Sequence, residues 1–126
     1  MDALLDTATL IDIYKLYPPA IAWLQANRSR LFAITSTAWM EMMLGVMDKA
    51  DQNRVIRFLN SFQMIYLTQV DQEWALHNLQ TFRLSHGVGM NDCLIAAPSH
   101  RLQLPIYTRN LKHFTPLLGA LAVQAY

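Results

Sequence analysis

The chain has 126 residues, the size of one domain and too short for two ordinary ones. Hydrophobic residues make up 53% and charged residues 15%, which excludes a disordered chain. The formal net charge of +1 speaks against a strong nonspecific nucleic-acid binder, and Cys93, the only cysteine, rules out an internal disulfide and a cysteine-based zinc site.

In chain order, Ala3 to Leu5 reads as a short apolar strand that stops at Asp6. Thr7 to Leu16 continues at helical spacing through Leu10, Ile11 and Tyr14. Pro18-Pro19 opens a second helix reaching Asn27, since proline is tolerated in a first turn. Leu31 to Ile34 reads as a buried strand. Thr35 and Ser36 are cap candidates for a helix from Thr37 to Met47. Asp51 is the expected cap of a helix from Gln52 to Phe62, with Val55, Ile56, Leu59 and Phe62 inward. Met64 to Leu67 forms a third strand. A long helix follows from Asp71 to His86, closed by Gly87. Asn91 or Asp92 begins another, running through Arg101. Within it Pro98 removes a backbone bond and should kink the rod at a cost of about 3 kcal/mol. Pro105 to Tyr107 is a strand, and Val123 to Tyr126 is a candidate edge strand.

Strands separated by helices of this length imply right-handed crossovers and a mainly parallel sheet covered on both faces. The expected fold is a three-layer α/β/α sandwich in a single domain spanning residues 1–126. No apolar run approaches the roughly 18 residues of a membrane span. Met1-Asp2-Ala3 lacks the basic segment of a secretory signal, so a cytoplasmic location is expected.

In open α/β sheets, ligands bind beyond the carboxyl ends of the strands. Asp6-Thr7 directly follows the first strand, Thr108-Arg109-Asn110 directly follows the strand at Ile106-Tyr107, and Asn91-Asp92 opens a helix. Glu41 sits inside a helix, beside the small residues Thr37, Ala38 and Gly45. Of nine acids seven are Asp, a residue that prefers caps, turns and compact oxygen-ligand sites. Several carboxylates in one cleft repel each other unless a divalent cation neutralises them. Each residue also has a plain structural reading. Asp6 and Asp92 could be helix caps, Glu41 could lie on the wet face of its helix, and Asn110 could be a turn residue. Those readings account for each residue alone and not for the combination.

The segments carrying these groups resemble PIN-domain ribonucleases of the VapC toxin type. Leu4-Leu5-Asp6-Thr7 looks like the opening of that family, and Trp39-Met40-Glu41 through Gly45 matches its Glu followed four residues later by Gly. The most specific match is His86 through Ala97 around Asp92, followed by Leu104 through Phe114 with Thr108, Arg109 and Asn110. The resemblance implies that Asp6, Glu41 and Asp92 ligate magnesium or manganese. Asn110 then takes the fourth position, and Thr7 and Thr108 shape the site. It implies hydrolysis of phosphodiester bonds in RNA, tRNA or rRNA by class, silencing by a co-encoded antitoxin, and a homodimer. Arg109 and Lys112 are candidates for RNA phosphates, or else solvated surface charges. Two departures stand out: Pro98 lies in the Asp92 helix, and His113 replaces an Asp common before Phe114.

The alternative from another class is a noncatalytic PIN-like module that binds RNA or protein. A haloacid-dehalogenase phosphatase would need an acid at Ala8, and a receiver domain would need an acid after the Tyr66-Leu67 strand and a lysine at Thr108-Arg109-Asn110. Four glycines with no Gly-x-Gly-x-x-Gly speak against a dinucleotide site. His77, His86, His100 and His113 read as ordinary polar or packing residues. Met40, Met42, Met43 and Met47 read as core filling, with part of the cluster a candidate subunit interface.

Overall fold

The computed structural model describes residues 1–126 and alternates strands with helices as the sequence pattern requires. In order these are β1 (Ala3–Leu5), α1 (Thr7–Tyr14), α2 (Pro18–Ala26), β2 (Phe32–Thr35), α3 (Ser36–Leu44) and α4 (Lys49–Leu59). Then follow β3 (Gln63–Ile65), α5 (Gln69–His86), α6 (Met90–Leu102), β4 (Ile106–Tyr107), α7 (Leu111–Leu118) and, after a short 3-10 turn, β5 (Ala122–Val123). The strands form one sheet in the order β3-β2-β1-β4-β5, with every neighbouring pair parallel. Parallel neighbours cannot be joined by a hairpin, so each crossover carries helix. The three-layer α/β/α fold expected from the sequence follows. No helix is long and apolar enough to cross a membrane.

β1 occupies the centre. Ala3, Leu4 and Leu5 are fully buried, as central parallel strands are when both faces are covered. Leu4 is in register with Ala33 on one side and Ile106 on the other, and Leu5 with Tyr107. This alignment brings the ends of β1 and β4 side by side. α3 packs on both α1 and α6, and α6 on both α5 and α7, so the helices that bear the acids are neighbours.

Several boundaries differ from the sequence reading for reasons of capping. α4 begins at Lys49, and its cap is Asp48, whose carboxylate accepts the Asp51 amide at 2.8 Å. Asp51 lies inside the first turn instead, taking the Met47 amide and the Tyr14 hydroxyl. α5 starts two residues before Asp71. Thr68 and Asp71 exchange side chain-to-backbone bonds at 3.0 and 3.1 Å, a reciprocal box that closes the helix start. α6 is entered at Gly89, which places Asp92 third in the helix and not at its cap. α3 ends at Leu44, short of Met47. α5 does close at Gly87, with φ of +66°.

α7 is a helix the sequence reading missed, with Phe114, Leu117 and Leu118 buried at i, i+3 and i+4 while Pro116 sits inside it. Pro98 does not end α6, which continues to Leu102. Ala97, Pro98 and Ser99 are all buried there, so the ring's apolar burial offsets part of the lost backbone bond.

Candidate metal centre

The parallel pairing of β1 with β4 builds the first half of the site. The Asp6 amide continues the ladder to the Tyr107 carbonyl at 3.0 Å, which sets Asp6 beside Thr108. The Asp6 carboxylate accepts the Thr7 amide through Oδ1 at 2.7 Å and the Thr108 hydroxyl through Oδ2 at 2.8 Å. Asp6 is thus the N-cap of α1, the plain structural role, and at the same time the buried member of a polar network. The Thr108 oxygen also accepts the Asn110 amide at 2.8 Å, fixing the turn into α7.

The other half comes from α3 and α6. Glu41 accepts the Thr7 hydroxyl through Oε1 at 2.7 Å and the Asn91 amide side chain through Oε2 at 3.2 Å. Asp92 Oδ2 accepts the Gly89 amide at 3.0 Å and stands 3.1 Å from His113 Nδ1. A Cβ at position 89 would stand 3.4 Å from that oxygen, an ordinary van der Waals contact. Asn110 closes the circuit, its Nδ2 standing 2.9 Å from the same His113 nitrogen. One chain of contacts therefore runs from Glu41 through Thr7, Asp6, Thr108, Asn110 and His113 to Asp92. Asn91 then returns it to Glu41.

The electrostatics are unbalanced toward negative charge. Burial pushes the Asp6 carboxyl up to about 6, and the charges of Asp92 and Glu41 push the same way against the Thr108 and Thr7 hydrogen bonds. No Lys or Arg pairs with Asp6 or Glu41, and the one ionic contact of Asp92 is His113. Hard oxygen donors without a basic partner suit a divalent cation. No three groups among His, Cys, Asp and Glu converge tightly enough to cage an ion by themselves. The donor set fits a hydrated magnesium-like ion, which keeps several of its waters, and does not fit a closed structural zinc.

The remaining expected residues divide. Arg109 is tied through Nε to Asp12 at 2.9 Å, Asp12 also accepts the Tyr126 hydroxyl at 2.6 Å, and the rest of the guanidinium is half exposed. Lys112 is exposed and takes part in no ion pair. His113, read from sequence as an ordinary polar residue, stands against two of the site residues. Its signal was the i, i+3 spacing from Asn110 at the start of a helix that the sequence reading had not drawn. The other histidines are elsewhere, with His100 stacked on Trp74 and His86 against Phe82. The methionines of α3 split as well: Met42 is buried, whereas Met40 and, just beyond the helix, Met47 are exposed.

Two clefts open at Glu41. One, of about 340 Å³, lies between α1, α3 and α4 and is lined by Tyr14, Lys15, Met42, Met47 and Asp51 among others. The second, of about 520 Å³, is bounded by Thr37, Met40, Leu44, Met90 and Asn91. The Thr37 hydroxyl there is buried without a hydrogen-bond partner.

No family model matches the chain. It is 32% identical over 113 residues to ribonuclease VapC10 of Mycobacterium tuberculosis, covering 88% of this chain and 84% of that relative. Among solved structures it is similar to a toxin–antitoxin complex from Klebsiella pneumoniae, with a TM-score of 0.80, 28% identity and coverage of 99% and 98% of the two chains. VapBC2 from Rickettsia felis, solved bound to a DNA fragment from its promoter, shares the fold with a TM-score of 0.76, 23% identity and 92% coverage of each chain.

Proposed function

This chain belongs to the VapC ribonuclease family, and from that membership and the acid network we propose that it is a metal-dependent endoribonuclease, the toxin of a toxin–antitoxin pair. The observation that carries the reading is the meeting of Asp6, Glu41 and Asp92, from three separate crossovers, in one network without a Lys or Arg counter-charge. In this reading those three carboxylates hold magnesium or manganese, directly or through its waters. The ion, when bound, polarises a phosphodiester, lowers the pKa of a water and steadies the leaving oxygen.

The protein's own part is positioning. Thr7 holds one Glu41 oxygen and Asn91 the other, so the carboxylate cannot swing away from Asp6. Thr108 holds Asp6 against rotation, and through its second bond it sets the Asn110 turn. The Gly89 amide fixes Asp92. Preorganisation of this kind removes the cost of ordering charged groups as the reaction proceeds. Lys112, unpaired at the mouth of α7, is the candidate contact for an RNA phosphate of the tRNA or rRNA class.

The test is cleavage of a panel of structured RNAs by the purified chain with magnesium or manganese and with a chelator. The reading requires metal-dependent products, and their loss in Asp6→Asn and Asp92→Asn with unchanged circular dichroism. Cleavage that survives either substitution at full rate refutes the site. No cleavage of any RNA supports the noncatalytic module instead.

Two partners follow. The neighbouring structures of toxin–antitoxin complexes support an antitoxin partner, and the cleft between α1, α3 and α4, which ends at Glu41, is where a peptide segment would cover the acids. The exposed Met40, Leu44, Val70, Leu76 and Met90 give α3, α5 and α6 an apolar outer face that a second copy would bury.

A further inference from the structure

We propose that Arg109 binds the RNA phosphate next to the scissile one, and that Asp12 and Tyr126 are positioning residues that aim its guanidinium. The inference rests on the ribonuclease reading above and adds a substrate contact to it. It starts from an ion pair that leaves most of an arginine unused. Arg109 Nε stands 2.9 Å from Asp12 Oδ2, while the side chain is 51% exposed. A guanidinium is a rigid plane with five N–H donors, all but one of them on its terminal nitrogens. Arg30, Arg83 and Arg101 spend theirs within the chain, on the Tyr107 hydroxyl, the Val88 carbonyl and the Asp71 carboxylate respectively. Arg101 grips Asp71 with two nitrogens. The ionic contact of Arg109 is at Nε, so the fork suited to a phosphate is left open to solvent.

Its place in the fold puts that fork beside the acids. Arg109 lies between Thr108, whose hydroxyl holds Asp6, and Asn110, which stands against His113. The Thr108 amide is bonded to the Val123 carbonyl and the Asn110 amide to the Thr108 hydroxyl, so the backbone is fixed on both sides of position 109. Asp12 follows Asp6 by six residues along α1, a rise of about 9 Å. That is too far for the phosphate under attack and comparable with the spacing of successive phosphates along a strand. The acids repel an approaching RNA backbone, and a fixed positive charge at that spacing offsets the repulsion on the neighbouring phosphate.

Asp12 and Tyr126 supply the fixing. Asp12 is 8% exposed, and its Oδ2 accepts the Tyr126 hydroxyl at 2.6 Å. The Tyr126 ring is tilted against Trp23 and Tyr17, with centroids 6.4 and 6.1 Å away. Burial, then the hydrogen bond and charge of Asp12, push the phenol well above its ordinary range, so it stays protonated and keeps donating. Holding Arg109 before RNA arrives removes part of the rotamer freedom that a long side chain otherwise loses on binding.

The test is fluorescence anisotropy of labelled bulk tRNA with the full chain, over a range of salt, in an Asp6→Asn background to prevent cutting. Arg109→Gln should weaken binding about tenfold. It should also flatten the slope of log affinity against log salt by about 0.7 to 0.9, the share of one phosphate contact. Arg109→Lys should keep the slope but not the full affinity, since a point charge lacks the fork. Asp12→Asn and Tyr126→Phe should each weaken binding about threefold at an unchanged slope. The Asp12 result discriminates, because removing a negative charge tightens RNA binding unless the acid is aiming a cation. With an RNA that the unaltered chain cuts, Tyr126→Phe should raise KM and leave kcat alone. If Arg109→Gln, or Arg109→Lys where the first variant fails to fold, binds tRNA as the background does, the contact is overturned. A background that binds no tRNA overturns it too. Asp12→Asn that binds as tightly as the background, or more tightly, overturns the aiming. An Arg109 effect on binding in a chain that cuts no RNA leaves the phosphate contact standing and removes the ribonuclease reading.

Discussion

Asp6 is 5% exposed and lies among charges of its own sign. Its carboxyl gives up a proton near 3.8 when unfolded and near 6 in the folded protein. The favourable contribution is therefore complete below the unfolded value and disappears as pH rises through the folded one. The displacement corresponds to about 3 kcal/mol lost between pH 4 and pH 7 in metal-free protein. Chemical denaturation across that range should show the slope, saturating manganese or magnesium should abolish it, and Asp6→Asn should be stabler than the parent at pH 7 without metal. A flat profile for the metal-free parent would contradict this. The acids at 6, 41 and 92 were legible as residues because they follow strand ends or stand among small neighbours. His113 was legible only as a replacement for an Asp common before Phe114, because its contact with Asp92 joins two helices and no local pattern encodes that contact.

Among the elements, α5 shows how one cap serves two purposes. Asp71 is 1% exposed; it receives the Thr68 amide, and Arg101 of α6 binds it bidentately at 2.9 and 3.0 Å. Burial alone would raise its carboxyl, yet the Arg101 and Thr68 bonds outweigh it and hold the group below the usual range. Asp71→Asn should cost about 2–3 kcal/mol in a urea titration, since it weakens the cap and strips Arg101 of its partner. A change under about 0.5 kcal/mol would show that the pair does not brace α5 against α6. Periodicity made α5 readable from Asp71 to its close at Gly87, though not its start at Gln69, whereas α7 was hidden. Proline at position 116 argues against a helix by local rules, and only tertiary burial of Phe114, Leu117 and Leu118 overrides it. The same override lets α6 run through Pro98.

At the scale of the molecule, the alternation of apolar strands and amphipathic helices was enough to specify a parallel three-layer sheet, but not the strand order. The order depends on pairings such as Ala3 with Phe32 and Leu4 with Ile106, which are long-range and leave no local trace. The apolar face of α3, α5 and α6 carries its own prediction. Light scattering at micromolar concentration should give a dimer, and Met40→Asp combined with Leu76→Lys should give a monomer that retains the fold. A monomeric parent would remove the face as a self-association surface. The sheet order also bears on biosynthesis. Asp6 waits for a hydroxyl 102 residues further along the chain, and the central strand has no partner on that side until β4 exists. A growing polypeptide short of Thr108 holds all three acids but lacks the hydroxyl that fixes Asp6, so the acid network closes only late in synthesis.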